Sequence, residues 1–188
     1  MQAAPAHRSR VREMTTAALV AALIAGTAWM TIRIGPVPFT LQSMFVLLAG
    51  LLLRPGWAAA SMGIYLLLGA IGLPVFSGGQ SGFGTLMGPT GGFLLAFPIA
   101  AAALSAVRGL SAKASSFTTR RAVADIEGVV VAELLAYLIG IPWLMASTGM
   151  DLGKAFAVAV VPFLLPDAAK AVMAIVVAGA VRRARGHG

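Results

Sequence analysis

The stretch GLPVFSGGQSGFGTLMGPTGG, Gly72 to Gly92, decides how this chain is read. It holds eight glycines (Gly72, Gly78, Gly79, Gly82, Gly84, Gly88, Gly91 and Gly92) and two prolines, Pro74 and Pro89. A glycine inside a helix costs about 1 kcal/mol relative to alanine and a proline about 3, so no regular helix is expected here. Yet the stretch sits in the longest uncharged run of the sequence, between Arg54 and Arg108, with apolar helical pattern on both sides. Irregular backbone in lipid-class surroundings is tolerated only where protein buries it or where it lines a cavity. The stretch therefore reads as a lid over an internal site, held between two membrane spans. The competing reading is a long surface loop. Its length favours the lid, because structureless loops beyond about 12–15 residues are usually functional or disordered, and this one is too apolar for disorder.

Composition agrees. Of 188 residues, 59% are hydrophobic and only 11% charged, where soluble domains carry about 25% charged residues. The chain is expected to be a membrane protein forming one domain. Its net charge of +8 does not point to nucleic acid, because the basic residues punctuate the apolar runs instead of clustering on a soluble face. Zero cysteines exclude disulfides and thiolate chemistry. The two histidines, His7 and His187, lie at the chain ends, which argues against a histidine-based metal or catalytic centre.

In chain order, residues 1–13 read as a solvated basic tail, and the apolar run Met14 to Ile32 as a first span. That run is longer than a signal-peptide core and matches the roughly 20 residues needed to cross a bilayer. Within it Ala17, Ala21 and Ala25 repeat every four residues, as do Ala18, Ala22 and Gly26; such spacing makes a groove where another helix can approach. IGPVPFT, residues 34–40, is an extended connection set by Pro36 and Pro38. Further spans are expected at 41–53, 57–71, 93–107, 124–143 and 166–181, several of them short. Residues 108–121 form a polar connector and 155–165 a short or re-entrant piece. The expected fold is an all-α bundle of six transmembrane helices over residues 14–185, followed by a short tail, 186–188.

Six spans put both termini on one side. Arg8, Arg10, Arg12, Arg54, Arg108, Lys113, Arg120, Arg121, Arg182, Arg183 and Arg185 then share that side, leaving only Arg33 and Lys154 on the other. Basic residues favour the cytoplasm, so both termini are expected there, with the lid facing outward across the cytoplasmic membrane.

Three ionisable residues fall within spans: Glu133, Asp167 and Lys170. Charge at membrane depth is costly and marks a functional site by default. Asp167 and Lys170, three apart, share a helix face near the lid side. Glu133 reads as a polar contact between helices. Asp125 and Glu127 read as acidic groups suited to the positive end of a helix dipole. No Walker lysine, GxSxG or HExxH motif is present, and no enzyme or cofactor is expected. Transport or binding is the simpler inference.

Four blocks carry a resemblance: IGPVPFTLQSMFVLLAGLLLRPG (34–56), LLLGAIGLPVFSGG (66–79), GPTGGFLLAFP (88–98) and PFLLPDAAKA (162–171). Together, over roughly Thr15 to Val181, the chain resembles the BioY family, the biotin-binding membrane subunits (S components) of energy-coupling-factor (ECF) vitamin transporters. The resemblance implies a six-helix bundle with a vitamin site near the outer face under its loops. It places the family's D-x-x-K pair on Asp167 and Lys170 and the small-residue motif that docks the transmembrane coupling subunit on Ala17, Ala21 and Ala25. It also suggests Gln80 as a polar lid residue. The implied partners are biotin, the coupling subunit and ATP-binding cassette ATPases, in membrane lipid. Physically, a carboxylate and an ammonium on one face complement a ureido group, while Phe39, Phe76 and Tyr137 supply aromatic walls. The alternative is a self-sufficient, homo-oligomeric carrier or channel for a small organic acid. A membrane enzyme acting on a lipid-like substrate is a third class, disfavoured by the lack of a charged catalytic cluster.

Overall fold

The structure is a computed structural model that describes residues 5–33, 36–113 and 118–186. The centre of the polar connector, residues 114–117, Ile34 and Gly35 of the extended connection, and the extreme ends of both tails lie outside the described residues. Helix α1 (Pro5–Gly26) leads to a hairpin of β1 (Thr31–Arg33) and β2 (Pro38–Thr40). Then come α2 (Gln42–Leu52), α3 (Pro55–Ala70) and the glycine-rich stretch, which carries a 3-10 turn and the short α4 (Phe83–Met87). Helices α5 (Gly91–Lys113), α6 (Thr118–Thr148), α7 (Leu152–Ala159) and α8 (Leu164–Gly186) complete the chain. Among the described residues there are six helices of 11 residues or more, roughly consistent with the expected six, and two of eight or fewer.

Several boundaries differ from expectation, each for a local reason. The basic start is not a tail from Pro5 onward: it forms the first turns of α1, where exposed Arg10 and Arg12 let the helix extend past the apolar run. The same helix stops at Gly26, short of Ile32, because Thr31–Arg33 pair with Pro38–Thr40 in the hairpin. The span expected at 93–107 is a 23-residue helix, and the one expected at 124–143 runs to 31 residues. Both continue into the polar connector, whose charge patterning masked their helical ends. Helices α5, α6 and α8 are long and apolar enough to cross a membrane, while α2 and α3 are shorter apolar helices.

The packing follows membrane rules, with small residues allowing close approach. Helices α5 and α6 are closely packed along their length. A methyl group at Gly92 of α5 would lie 2.3 Å from Trp143 Cβ of α6, and one at Gly140 of α6 would lie 2.3 Å from the Phe93 ring. The alanine repeat of α1 needs correcting at this level. Ala17 and Ala21 are buried against α3, where the Ser61 hydroxyl donates to the Ala17 carbonyl at 2.7 Å; Ala25 is half-buried. The outward-facing repeat is the neighbouring one, Ala18, Ala22 and Gly26.

Charges organise the end of the bundle opposite the lid. Asp125, expected only to suit the dipole of α6, is buried and gripped by two arginines. Arg108 of α5 donates from Nε at 2.6 Å and Arg182 of α8 from Nη2 at 2.5 Å. Arg182 also reaches the Leu51 carbonyl at the end of α2, at 3.4 Å. Nearby, Arg54 pairs with Glu13 at 3.0 Å, and Arg185 donates to Thr16 of α1 at 3.0 Å. Five helices, α1, α2, α5, α6 and α8, are thus tied together at one end by arginines that the sequence offered only as topological charge.

Candidate ligand-binding site

The opposite end is roofed by the hairpin and the lid. Lid backbone is stapled to its neighbours: the Gly78 N–H donates to Ala28 O at 2.8 Å, and Gly82 N–H to Gly69 O at 2.7 Å. Gly79 has φ +75° and carries Trp29 against it, so an added Cβ would lie 2.5 Å from that ring. Only glycine meets both demands. At the far edge the GPTGG block (Gly88–Gly92) seats Trp143, whose indole N–H donates to Gly88 O at 2.9 Å. Gln42, buried at the start of α2, supports the lid from below by donating to Val75 O at 3.3 Å and to the Tyr65 hydroxyl at 2.7 Å.

Beneath this roof lie two adjoining compartments of about 70 and 100 Å³. Val37, Pro38, Thr40, Phe93 and Phe97 line both. The first adds the lid side chains Phe76, Ser77, Gln80 and Thr85, together with Thr90. The second adds Ser43, Glu133, Tyr137, Phe163, Asp167 and Lys170. Ligand pockets are usually several hundred Å³, so a ligand of that class has to displace part of the roof or walls. A larger groove of about 460 Å³ runs outside, between α6 and α8. It is walled almost wholly by apolar side chains facing the bilayer, so the polar inner compartments are the better site.

Asp167 and Lys170 form the polar centre. Both sit in the first two turns of α8, and the i,i+3 spacing brings Lys170 Nζ to 2.7 Å from Asp167 Oδ1. Lys170 is 4% exposed. It also donates to Ser43 Oγ at 2.8 Å and to Thr40 O at 3.2 Å, so its three donors have three acceptors. Tyr137 of α6 donates its hydroxyl to Asp167 Oδ2 at 2.6 Å. A buried charge pair is tolerable only with such complete hydrogen bonding.

The other expected residues divide. Gln80 and Phe76 border the first compartment, and Tyr137 the second. Phe76 is fully buried and packs edge-on against Tyr65 at 5.6 Å. Phe39 is not among the lining side chains. Its ring lies under the Lys170 ammonium, 4.7 Å from Nζ to centroid, and stacks on Phe163 at 6.3 Å. Alternation along β2 turns it under the lysine while Pro38 and Thr40 line the cavity, so in this structure it supports the lysine beside the compartment. Glu133, expected as a contact between helices, lines the second compartment instead. Ser43, Phe93 and Phe97 were not expected; only their position beside recognisable blocks hinted at them.

Residues 1–187 match the BioY family model. The chain belongs to the BioY family. Among BioY relatives it is 40% identical over 169 residues to the "Probable biotin transporter BioY" of Pyrococcus horikoshii, covering 90% of this chain and 95% of that one. It is 36% identical to the "Biotin transporter BioY" of Thermotoga maritima, with coverage of 89% and 94%. It is also 36% identical to the "Biotin transporter BioY2" of Lactococcus lactis, with coverage of 96% of both chains. The fold superposes on the crystal structure of the S-component for biotin from an ECF-type ABC transporter. That match has a TM-score of 0.82 and 27% identity and covers 94% of this chain and 93% of that chain.

Proposed function

We propose that this BioY-family protein captures biotin and supports its uptake across the cytoplasmic membrane as the substrate-binding subunit of an ECF-type transporter. The observation that carries the reading is the hydrogen-bonded pair of buried Lys170 and half-buried Asp167 under a glycine lid, in a chain whose relatives are named biotin transporters. Biotin offers a ureido group with two N–H donors and one carbonyl, an apolar thioether ring and a carboxylate tail. The ureido group fits the Asp167–Lys170 compartment and the ring fits against Phe93 and Phe97. The tail fits the compartment of Ser77, Gln80, Thr85 and Thr90, away from the acidic residues. Calorimetric titration of the purified protein with biotin tests this: saturable one-to-one binding is expected, and no binding sinks the reading.

Partner docking belongs to the exposed small-residue face of α1. Ala18, Ala22 and Gly26 present a groove to the bilayer, where a coupling-subunit helix can approach closely. Ala22→Trp is expected to leave biotin binding by the isolated protein within a few-fold of wild type and to abolish uptake with the coupling subunit and ATPases. Normal co-purification of the full complex from this variant would refute the assignment. Ala21→Trp, by contrast, should damage the isolated protein itself, because that position is filled by the bundle.

The orientation that fits the charge distribution puts both termini and the arginine-rich end in the cytoplasm, with the lid outward. Single cysteines at Gly82 and Leu110 in this cysteine-free chain should label from opposite sides of the membrane, Gly82 from outside. Labelling of Leu110 from outside would reverse the topology.

A further inference from the structure

Three charged side chains border the second compartment, and two of them are fully engaged by the protein. Lys170 faces Asp167, Ser43 and Thr40; Asp167 accepts from Lys170 through one oxygen and from Tyr137 through the other. Glu133, reaching in from α6, makes no hydrogen bond or ion pair among the described residues. It is partly buried and also borders the apolar groove on the bilayer side. An ionisable group at membrane depth marks function by default. Of the two spaces it borders, only the polar compartment can bring it a hydrogen-bond donor.

Resting on the biotin reading above, we propose that Glu133 is a ligand-reading residue, accepting one of the two ureido N–H donors while Asp167 accepts the other. The two N–H groups of a cyclic urea flank its carbonyl and point to opposite sides, so one carboxylate cannot take both. Acceptors on two separate elements are required. Asp167 on α8 and Glu133 on α6 are two such acceptors on one cavity, and each Asp167 oxygen keeps a second lone pair beyond the bond it already accepts. Lys170 meets the carbonyl by exchanging its longest contact, the 3.2 Å bond to Thr40 O. The arrangement selects for ligands carrying both N–H groups, because an analogue lacking one leaves a buried carboxylate unpaired.

The test titrates wild type, Glu133→Ala and Glu133→Gln with biotin and with its two derivatives methylated on one or the other ureido nitrogen. Hydrogen bonds to charged groups set the scale, so Glu133→Ala should weaken biotin roughly 10- to 100-fold. Glu133→Gln keeps the size and one acceptor oxygen and should lose less. One methylated derivative should bind the wild type weakly and lose nothing further in Glu133→Ala; the other should lose as much as biotin does. Thermal unfolding without ligand checks that each variant is folded, with Glu133→Gln carrying the comparison if alanine does not fold. Unchanged biotin affinity in both variants overturns the proposal, as does an equal loss for biotin and both derivatives. A wild type that fails to bind biotin overturns the function itself, a separate result.

Discussion

Lys170→Ala is expected to weaken biotin binding at least about 100-fold, the largest loss from any single change in the site. One such bond is worth about 1.5–3 kcal/mol, and tenfold in affinity is about 1.4 kcal/mol. The substitution removes the donor to the ligand and also leaves Asp167 without its cation, so two contributions fall together. Removing one member of a buried pair typically destabilises by about 3–5 kcal/mol, and the unliganded melting temperature should fall as well. The double variant Asp167→Asn with Lys170→Met separates the two effects. It removes both charges at similar size, so folding should recover and binding should not. Biotin methyl ester fixes the role. With Lys170 on the ureido carbonyl, the ester binds within a few-fold of biotin, and Lys170→Ala weakens both equally. A loss confined to free biotin would hand Lys170 to the carboxylate.

Asp125→Ala is expected to be the most damaging change outside the site. The carboxylate is 3% exposed and serves Arg108 and Arg182 at once. Its removal leaves two guanidinium groups without a counter-charge, one of them still bonded to Leu51 O. Stability should drop by about 3–5 kcal/mol, read as a lower melting temperature and less protein in the membrane. Asp125→Asn should fall between it and wild type, and biotin affinity of the folded fraction should be unchanged. Melting equal to wild type would mean that the clamp contributes no stability.

What the sequence disclosed follows from the range of each signal. Spans, lid and the Asp167–Lys170 pair were legible because hydropathy, glycine content and i,i+3 spacing act within one segment. The alanine face was not. Ala17 and Ala18 differ by one residue, about 100° around a helix, and both begin a four-residue repeat; only the position of α3 decides which looks inward. Asp125 was misread for a similar reason, since Arg108 and Arg182 are 17 and 57 positions away. Glu133 was singled out as ionisable, but its cavity exists only once α6, α8 and the hairpin meet. For Phe39 the residue type suggested an aromatic at the site, but only the strand register shows that its ring sits under the lysine.

Helix α8 meets α2 twice, through Lys170 to Ser43 at one end and through Arg182 to Leu51 at the other, and Lys170 also holds the hairpin at Thr40 O. The two cations, twelve residues apart, are separated by about 18 Å of helix. A rod fastened at both ends to its neighbour neither tilts nor slides without breaking a charged contact. The floor of the vitamin compartment is therefore fixed by charged contacts at both ends. Biotin is larger than the space beneath the lid, so the room has to come from elsewhere. The glycine stretch, by contrast, is held to its neighbours by the uncharged hydrogen bonds described above. A ligand of that size is expected to enter by displacing this ceiling, while the two struts keep the recognition groups in register.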